Sequence, residues 1–231
     1  MRRYLFLCMI LCGCFYSQAQ LTVNYSSGYS TYDTDGMREL LRNIQTSHPI
    51  SAIGAKNVGN FQAHNIIHVV DIGYLFDNHE FGIKGGGYHS TGGKLSIKDY
   101  SGEYSNLFIV NGFRAGLYYR NYFYTFWKNT MPLFSFYGEL SPGIFLSEFK
   151  NNSFLIVNDE VLDSTDVISK MNSLSLLAQV GAKFNVYEKF HIHTALGYEI
   201  ADKTNDDDSV DHAAYVNWSG IRFSVGVGIT F

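Results

Sequence analysis

The last fifteen residues, Asn217–Phe231, constrain this chain more than any other stretch. Ile221, Phe223, Val225, Val227, Ile229 and Phe231 share one parity, and Arg222, Ser224, Gly226, Gly228 and Thr230 share the other. A period of two held to the final residue marks a β-strand with one apolar and one polar face. Here the apolar face is bulky, and the opposite face is small and rich in glycine. A terminus normally frays unless something ties it down. A strand that closes a membrane barrel meets both conditions, with bulky side chains toward lipid and small ones toward a crowded lumen.

The start of the chain agrees with export. Arg2 and Arg3 precede an apolar run, Tyr4–Cys12, and Ser17-Gln18-Ala19 has the small-x-small form of a signal-peptidase site. The run is too short to span a membrane as a helix. A leader of residues 1–19 and a barrel domain of residues 20–231 are therefore expected, with lipidation at Cys14 as the competing outcome. All three cysteines lie in the leader, so the mature chain is expected to have no disulfide. The formal charge is −4, and the leader removes only basic residues, which argues against a nucleic-acid partner. Past the leader, no apolar run of about 18 residues suggests a transmembrane helix.

Read in order, alternation predicts strands over Gln20–Ser30, Ile66–Phe76, Phe81–Tyr88, Leu107–Tyr119, a fifth around Phe134–Ser141, Ser173–Val186, and a seventh from Phe190 to Glu199, before the closing strand. Between the first two, Met37, Leu40, Leu41 and Ile44 at spacings of three and four predict a short helix over 35–44. This helix is expected to cap the barrel mouth. Residues 89–105, 147–171 and 201–216 read as long polar loops, with a hairpin extension possible over 153–161, and 120–132 as a connection of medium length. Long and short connections then alternate, so every long loop falls on one rim, as in outer-membrane barrels. Aromatics gather at the other rim. The expected fold is an all-β, up-and-down antiparallel barrel of eight strands, ten being the alternative, located in the bacterial outer membrane.

The leader, the alternation and the terminal Gly226-Val227-Gly228-Ile229-Thr230-Phe231 resemble the small outer-membrane barrel proteins of the OmpA-like superfamily, the Bacteroidetes PorT-like type in particular. The resemblance implies fold and location, and the barrel-assembly machinery as a transient partner that reads Phe223, Val225, Val227, Ile229 and Phe231. It carries no catalytic or ligand motif.

Strand parity places Asp71, Lys84, Arg114, Glu139, Lys183, His193, Glu199 and Arg222 in the lumen. Buried charges must pair, and hairpin adjacency suggests Asp71 with Lys84, Lys183 beside His193, Arg222 with Glu199 and Arg114 with Glu139. A structural ion-pair plug is the expected role. His191 and His193 with Glu199 offer a weak metal pattern. His89, Ser90 and Glu103 offer a weak hydrolase pattern. Asp202, Asp206, Asp207, Asp208 and Asp211 form an acidic loop without the glycine and closing glutamate of an EF-hand. No catalytic residue, metal or cofactor is assigned. The expected function is a monomeric, non-enzymatic barrel bathed in membrane lipid, whose long loops contact envelope or external partners. The alternatives are a narrow solute pore, a lipid-modifying enzyme and a soluble lipocalin-like binder.

Overall fold

The computed structural model describes residues 20–47, 50–61, 64–89, 92–100, 102–128, 131–158, 160–202 and 217–231. Its elements are β1 (Gln20–Thr31), α1 (Asp35–Thr46), α2 (Ile50–Ile53), β2 (Lys56–Gly59), β3 (His64–Phe76), β4 (His79–His89), β5 (Gly93–Lys98), β6 (Gly102–Lys128), β7 (Met131–Val157), β8 (Glu160–Asn185), β9 (Phe190–Ala201) and β10 (Gly220–Thr230). The proposed leader lies outside the described residues.

Eight of the ten strands close a ring, in the order β1, β3, β4, β6, β7, β8, β9, β10, every pairing antiparallel. Closure comes from β1 with β10, in register from Thr22 opposite Thr230 to Ser30 opposite Arg222. The terminus is tied down: the Phe231 amide donates to Leu21 O at 2.8 Å, and the Thr230 amide to Lys189 O at 2.8 Å. The remaining strands, β2 and β5, stand outside the ring, where β5 takes over the edge of β6 beyond the point at which β4 leaves it.

The bulky parity faces outward all around the ring. Ile72, Ile83, Leu117, Leu140, Val180, Leu196 and Val225 are exposed, while their strand neighbours Asp71, Lys84, Tyr118, Glu139 and Glu199 are buried. An apolar exterior around a polar, filled interior belongs to a membrane-spanning barrel of the outer-membrane kind. A lipocalin-like binder would need the reverse, so that alternative falls. The turn at 77–78, the junction of β6 with β7 and the bends at 186–189 share one rim with Gln20 and Phe231, and the long excursions after β1, β4 and β9 share the other with the raised β7–β8 hairpin. The first is the inner, periplasmic rim and the second the outer.

Three loop expectations are corrected. Within 120–132, β6 runs on to Lys128 and β7 begins at Met131. Bulges at Tyr122/Tyr124 and Phe126/Trp127 hide it by shifting the side-chain parity. The shift turns Phe123, Tyr124, Phe126 and Trp127 all outward, into the aromatic girdle of the inner rim. The second stretch, 147–171, is one continuous hairpin, with β7 extended to Val157 and β8 starting at Glu160. The third, 89–105, holds β5 and the start of β6. Both of these lie past the outer rim, where each face of a strand meets water or the cap, so the lipid-against-lumen contrast that writes the alternation is gone.

At 12 residues, α1 outlasts the expected helix by two. Its apolar side, Met37 and Leu41, is fully buried against Phe61, Leu95, Phe108, Phe149 and Trp218. Asp33 Oδ1 receives the Asp35 amide at 2.9 Å at the helix start. The helix therefore stoppers the outer mouth with an apolar core.

Candidate functional site

From the inner rim upward, the bore holds two ion-pair clusters and then the apolar cap. In the lower cluster Arg120 is the centre. Its Nε and Nη2 donate to Glu139 Oε2 at 3.0 and 2.8 Å, and its Nη1 reaches both Glu80 oxygens at 3.2 Å. Glu80 also accepts from the Tyr118 and Tyr122 hydroxyls, each at 2.6 Å, and from Thr22 Oγ1 at 2.7 Å. Lys84 pairs with the other oxygen of Glu139. Asp71 accepts from Asn24 Nδ2 at 2.6 Å and lies 3.7 Å from Arg120. The rings of Tyr118 and Tyr137 flank the Arg120 guanidinium at 5.0 and 4.6 Å.

The upper cluster centres on Glu199, which takes Arg114 on one oxygen and Arg222 Nε on the other, the latter at 3.0 Å. Arg114 also donates to Ser141 Oγ at 3.1 Å and Ser141 O at 2.6 Å. Arg222 donates to Thr31 O at 2.5 Å and to Trp218 O, which joins the barrel wall to the cap. Between the clusters is a cavity of about 30 Å³, lined by Asp71, Lys84, Arg114, Arg120, His193 and Arg222. That is room for roughly one water. Directly above, Phe145 stacks on Trp218 and Tyr88 meets both edge-on, with ring centroids 5.0–5.9 Å apart, and α1 lies over them.

All eight lumen residues named from parity are buried. Their partners differ from hairpin adjacency in two cases. Asp71 and Lys84 sit opposite one another in register, yet the ammonium crosses to Glu139. Arg114 goes to Glu199 rather than Glu139. Across a bore this narrow, long side chains reach strands other than their neighbour, and height along the axis selects the partner. Arg222 meets Glu199, and Lys183 stands opposite His193 with its ammonium 5.5 Å from the Tyr122 ring. Glu80 and Arg120, the most connected of the network, were not singled out by sequence because they fell in a turn and a connection. Extending the parity of Gly82 and Lys84 down to Glu80, and of Arg114 and Tyr118 down to Arg120, would have found them.

The small face of β10 has a local reason. A Cβ at Gly226 would strike the His193 ring, and one at Gly228 the His191 ring and the Asn24 carboxamide. His191 Nε2 lies 2.7 Å from Asn24 Oδ1, and the two imidazoles are 6.0 Å apart. Among the described residues no three His, Cys, Asp or Glu groups gather in a metal-holding arrangement. For the hydrolase pattern, Glu103 holds Lys98 Nζ at 2.7 Å, a hydrogen bond that raises the Lys98 pKa, while the His89 side chain and Ser90 lie outside the described residues. So do Asp206, Asp207, Asp208 and Asp211.

A second surface stands beyond the outer rim. The β5–β6 and β7–β8 hairpins continue the barrel wall as a ribbon, with Tyr100 fully exposed at one tip. From Glu160 to Ile168 every residue of β8 is exposed, including Val161, Leu162, Val167 and Ile168.

No protein-family model matches the chain, and no curated protein matches it in sequence. Solved structures similar to it are outer-membrane barrels. The attachment invasion locus protein Ail of Yersinia pestis is 13% identical, with a TM-score of 0.41, over 93% of this chain and 99% of that one. Neisserial surface protein A is 12% identical, with a TM-score of 0.39, over 93% and 100%. OprG of Pseudomonas aeruginosa is 12% identical, with a TM-score of 0.43, over 93% and 96%.

Proposed function

We propose that this chain is a closed, non-enzymatic outer-membrane barrel that works through the ribbon it raises above the outer rim. The observation that carries this reading is the contrast between a sealed bore and an exposed wall. Two ion-pair clusters and an apolar stopper fill the axis, whereas β6, β7 and β8, at 27, 27 and 26 residues, run far past the 11–13 of β1, β3, β4, β9 and β10. Strands that only crossed the membrane would need about ten residues.

The narrow pore has nothing to favour it, since the lumen cavity between the clusters has room for roughly one water. Removal of residues 1–19 as a leader, and kinship with the PorT-like small barrels, belong to the same reading and are supported by the leader pattern and the terminal strand. The terminal strand also serves as the signal for the barrel-assembly machinery. Deleting Phe231 is expected to lower the assembled protein several-fold, and unchanged membrane levels would remove that role.

The experiment is a photo-cross-linking residue placed at Val161 in living cells, with a lipid-belt control at Leu176, alongside bilayer conductance of the purified barrel. Protein adducts at Val161 only, and silence in the bilayer, are expected. Steady single-channel current with no adduct at Val161 would overturn the proposal.

A further inference from the structure

The outer stretch of β8, Glu160–Lys170, has β7 along one edge only, because β9 joins its other edge from Ser175 onward. Among the described residues nothing pairs with that second edge. A free edge presents a row of backbone donors and acceptors to any strand that can lie alongside. Proteins blunt such edges with proline, bulges or charged side chains; this stretch contains no proline, and its charges, Glu160, Asp163, Asp166 and Lys170, are of both signs, so a strand of complementary order can meet them.

The edge matches a second copy of itself. Laid antiparallel about Thr165, Glu160 faces Lys170, Leu162 faces Ile168, and Val161 faces Ser169, each pair occurring twice by symmetry. Opposite charges and apolar side chains placed directly across a ladder stabilise it. A slip of two residue numbers in one direction sets Asp166 against its own copy, and in the other sets Glu160 against Ile168. Of these three registers, only the one centred on Thr165 sets Glu160 against Lys170 and Leu162 against Ile168 together, with Asp163 facing Val167.

Continuity with the barrel then fixes where the second copy must be. β8 stays paired to β7 from the ribbon down to Phe184 at the inner rim, so it rises out of the membrane, at a tilt of about 35–45° for such barrels. Turning a copy about the membrane normal preserves that rising sense. Two copies in one membrane therefore cannot run antiparallel, whereas copies in two facing membranes can. We infer that the outer edge of β8 joins copies of this chain across facing outer membranes, as a homotypic adhesive strand pair. The inference rests on the reading of the ribbon as an interaction surface, and it names the partner. One strand pair is a small contact, but many copies acting between two surfaces bind with multiplied strength.

The test uses the full barrel reconstituted in phosphatidylethanolamine–phosphatidylglycerol vesicles, followed by light scattering, with heat-shifted gel migration confirming that each variant is folded. Wild-type vesicles are expected to cluster. Vesicles carrying Glu160→Lys alone, or Lys170→Glu alone, should lose most of that clustering. Mixing the two single-variant populations should restore it, since each then supplies the charge the other lacks, and the double variant should cluster by itself. Thr165→Cys should form disulfide dimers only when vesicles meet. Dispersed wild-type vesicles, single variants that cluster like wild type, or a mixture that stays dispersed would overturn self-pairing. Thr165→Cys dimers formed within isolated vesicles would overturn the facing-membrane geometry. Foreign-protein adducts at Val161 with dispersed vesicles would sink self-pairing and leave the broader reading standing. Loss of both adducts and clustering would sink both.

Discussion

One strand passes through two environments, and its side chains show what each demands. Between Leu174 and Phe184, β8 alternates strictly, with Leu174, Leu176, Val180 and Phe184 outward and Ser175, Leu177 and Lys183 buried. Between Glu160 and Ile168 the same strand, paired to the same neighbour, has every residue exposed. The backbone ladder is indifferent to this change. Alternation is thus a record of two unlike solvents on the two faces, lipid and lumen, and says little about whether a segment is strand. The bore is also where charge removal is costly, whereas the ribbon tolerates change.

That contrast can be pressed from its strongest point downward. Glu139→Leu leaves Lys84 and Arg120 without their shared carboxylate in the bore. Breaking a buried pair in this way costs about 3–5 kcal/mol, and a large drop in the temperature at which the folded gel band disappears is expected. A change within error would mean that the lower cluster is hydrated and open. Next, Leu41→Ala hollows the apolar stopper, a class of change worth about 2–5 kcal/mol where the site cannot collapse. Because α1 lies above the ring, the loss should appear as faster hydrogen exchange of α1, with the barrel band little altered. Equal exchange would show that the helix is not held by that contact.

Smaller again is Gly82→Ala. The added methyl would press on the backbone at Ile72 and Gly73 and on the Tyr118 ring. Overpacking of this kind costs about 1–3 kcal/mol, read as a lower midpoint in urea, and an unshifted midpoint would show that Tyr118 has room to swing away. Finally, Val161→Ser with Leu162→Ser should move the same midpoint by less than about 0.5 kcal/mol. A large shift there would erase the distinction between a structural bore and a working ribbon.

The sequence was legible wherever lipid faced lumen. Ile221–Phe231, Ile66–Phe76 and Phe190–Glu199 could be read because each strand separates the two environments. Parity alone also placed Asp71, Lys84 and Glu199 inside. Partner choice was not legible, because Lys84 and Arg114 select carboxylates by height across the bore, which no local spacing records. Residues 120–132 were hidden by two bulges, and 147–171 by the loss of the lipid-against-lumen contrast above the outer rim.

The ring of aromatics at the inner rim bears on the outer one. Phe123, Tyr124, Phe126 and Trp127, with Phe76, Phe81 and Phe190, hold the barrel at one depth, since aromatic side chains resist leaving the interface in either direction. A barrel moored from below cannot ride up or sink. The height of Glu160 above the lipid is then set by strand length alone, and the fourteen-residue run from Glu160 to Ser173 amounts to a contour of about 45 Å. The girdle on the inside of the membrane thereby gauges how far the protein reaches on the outside.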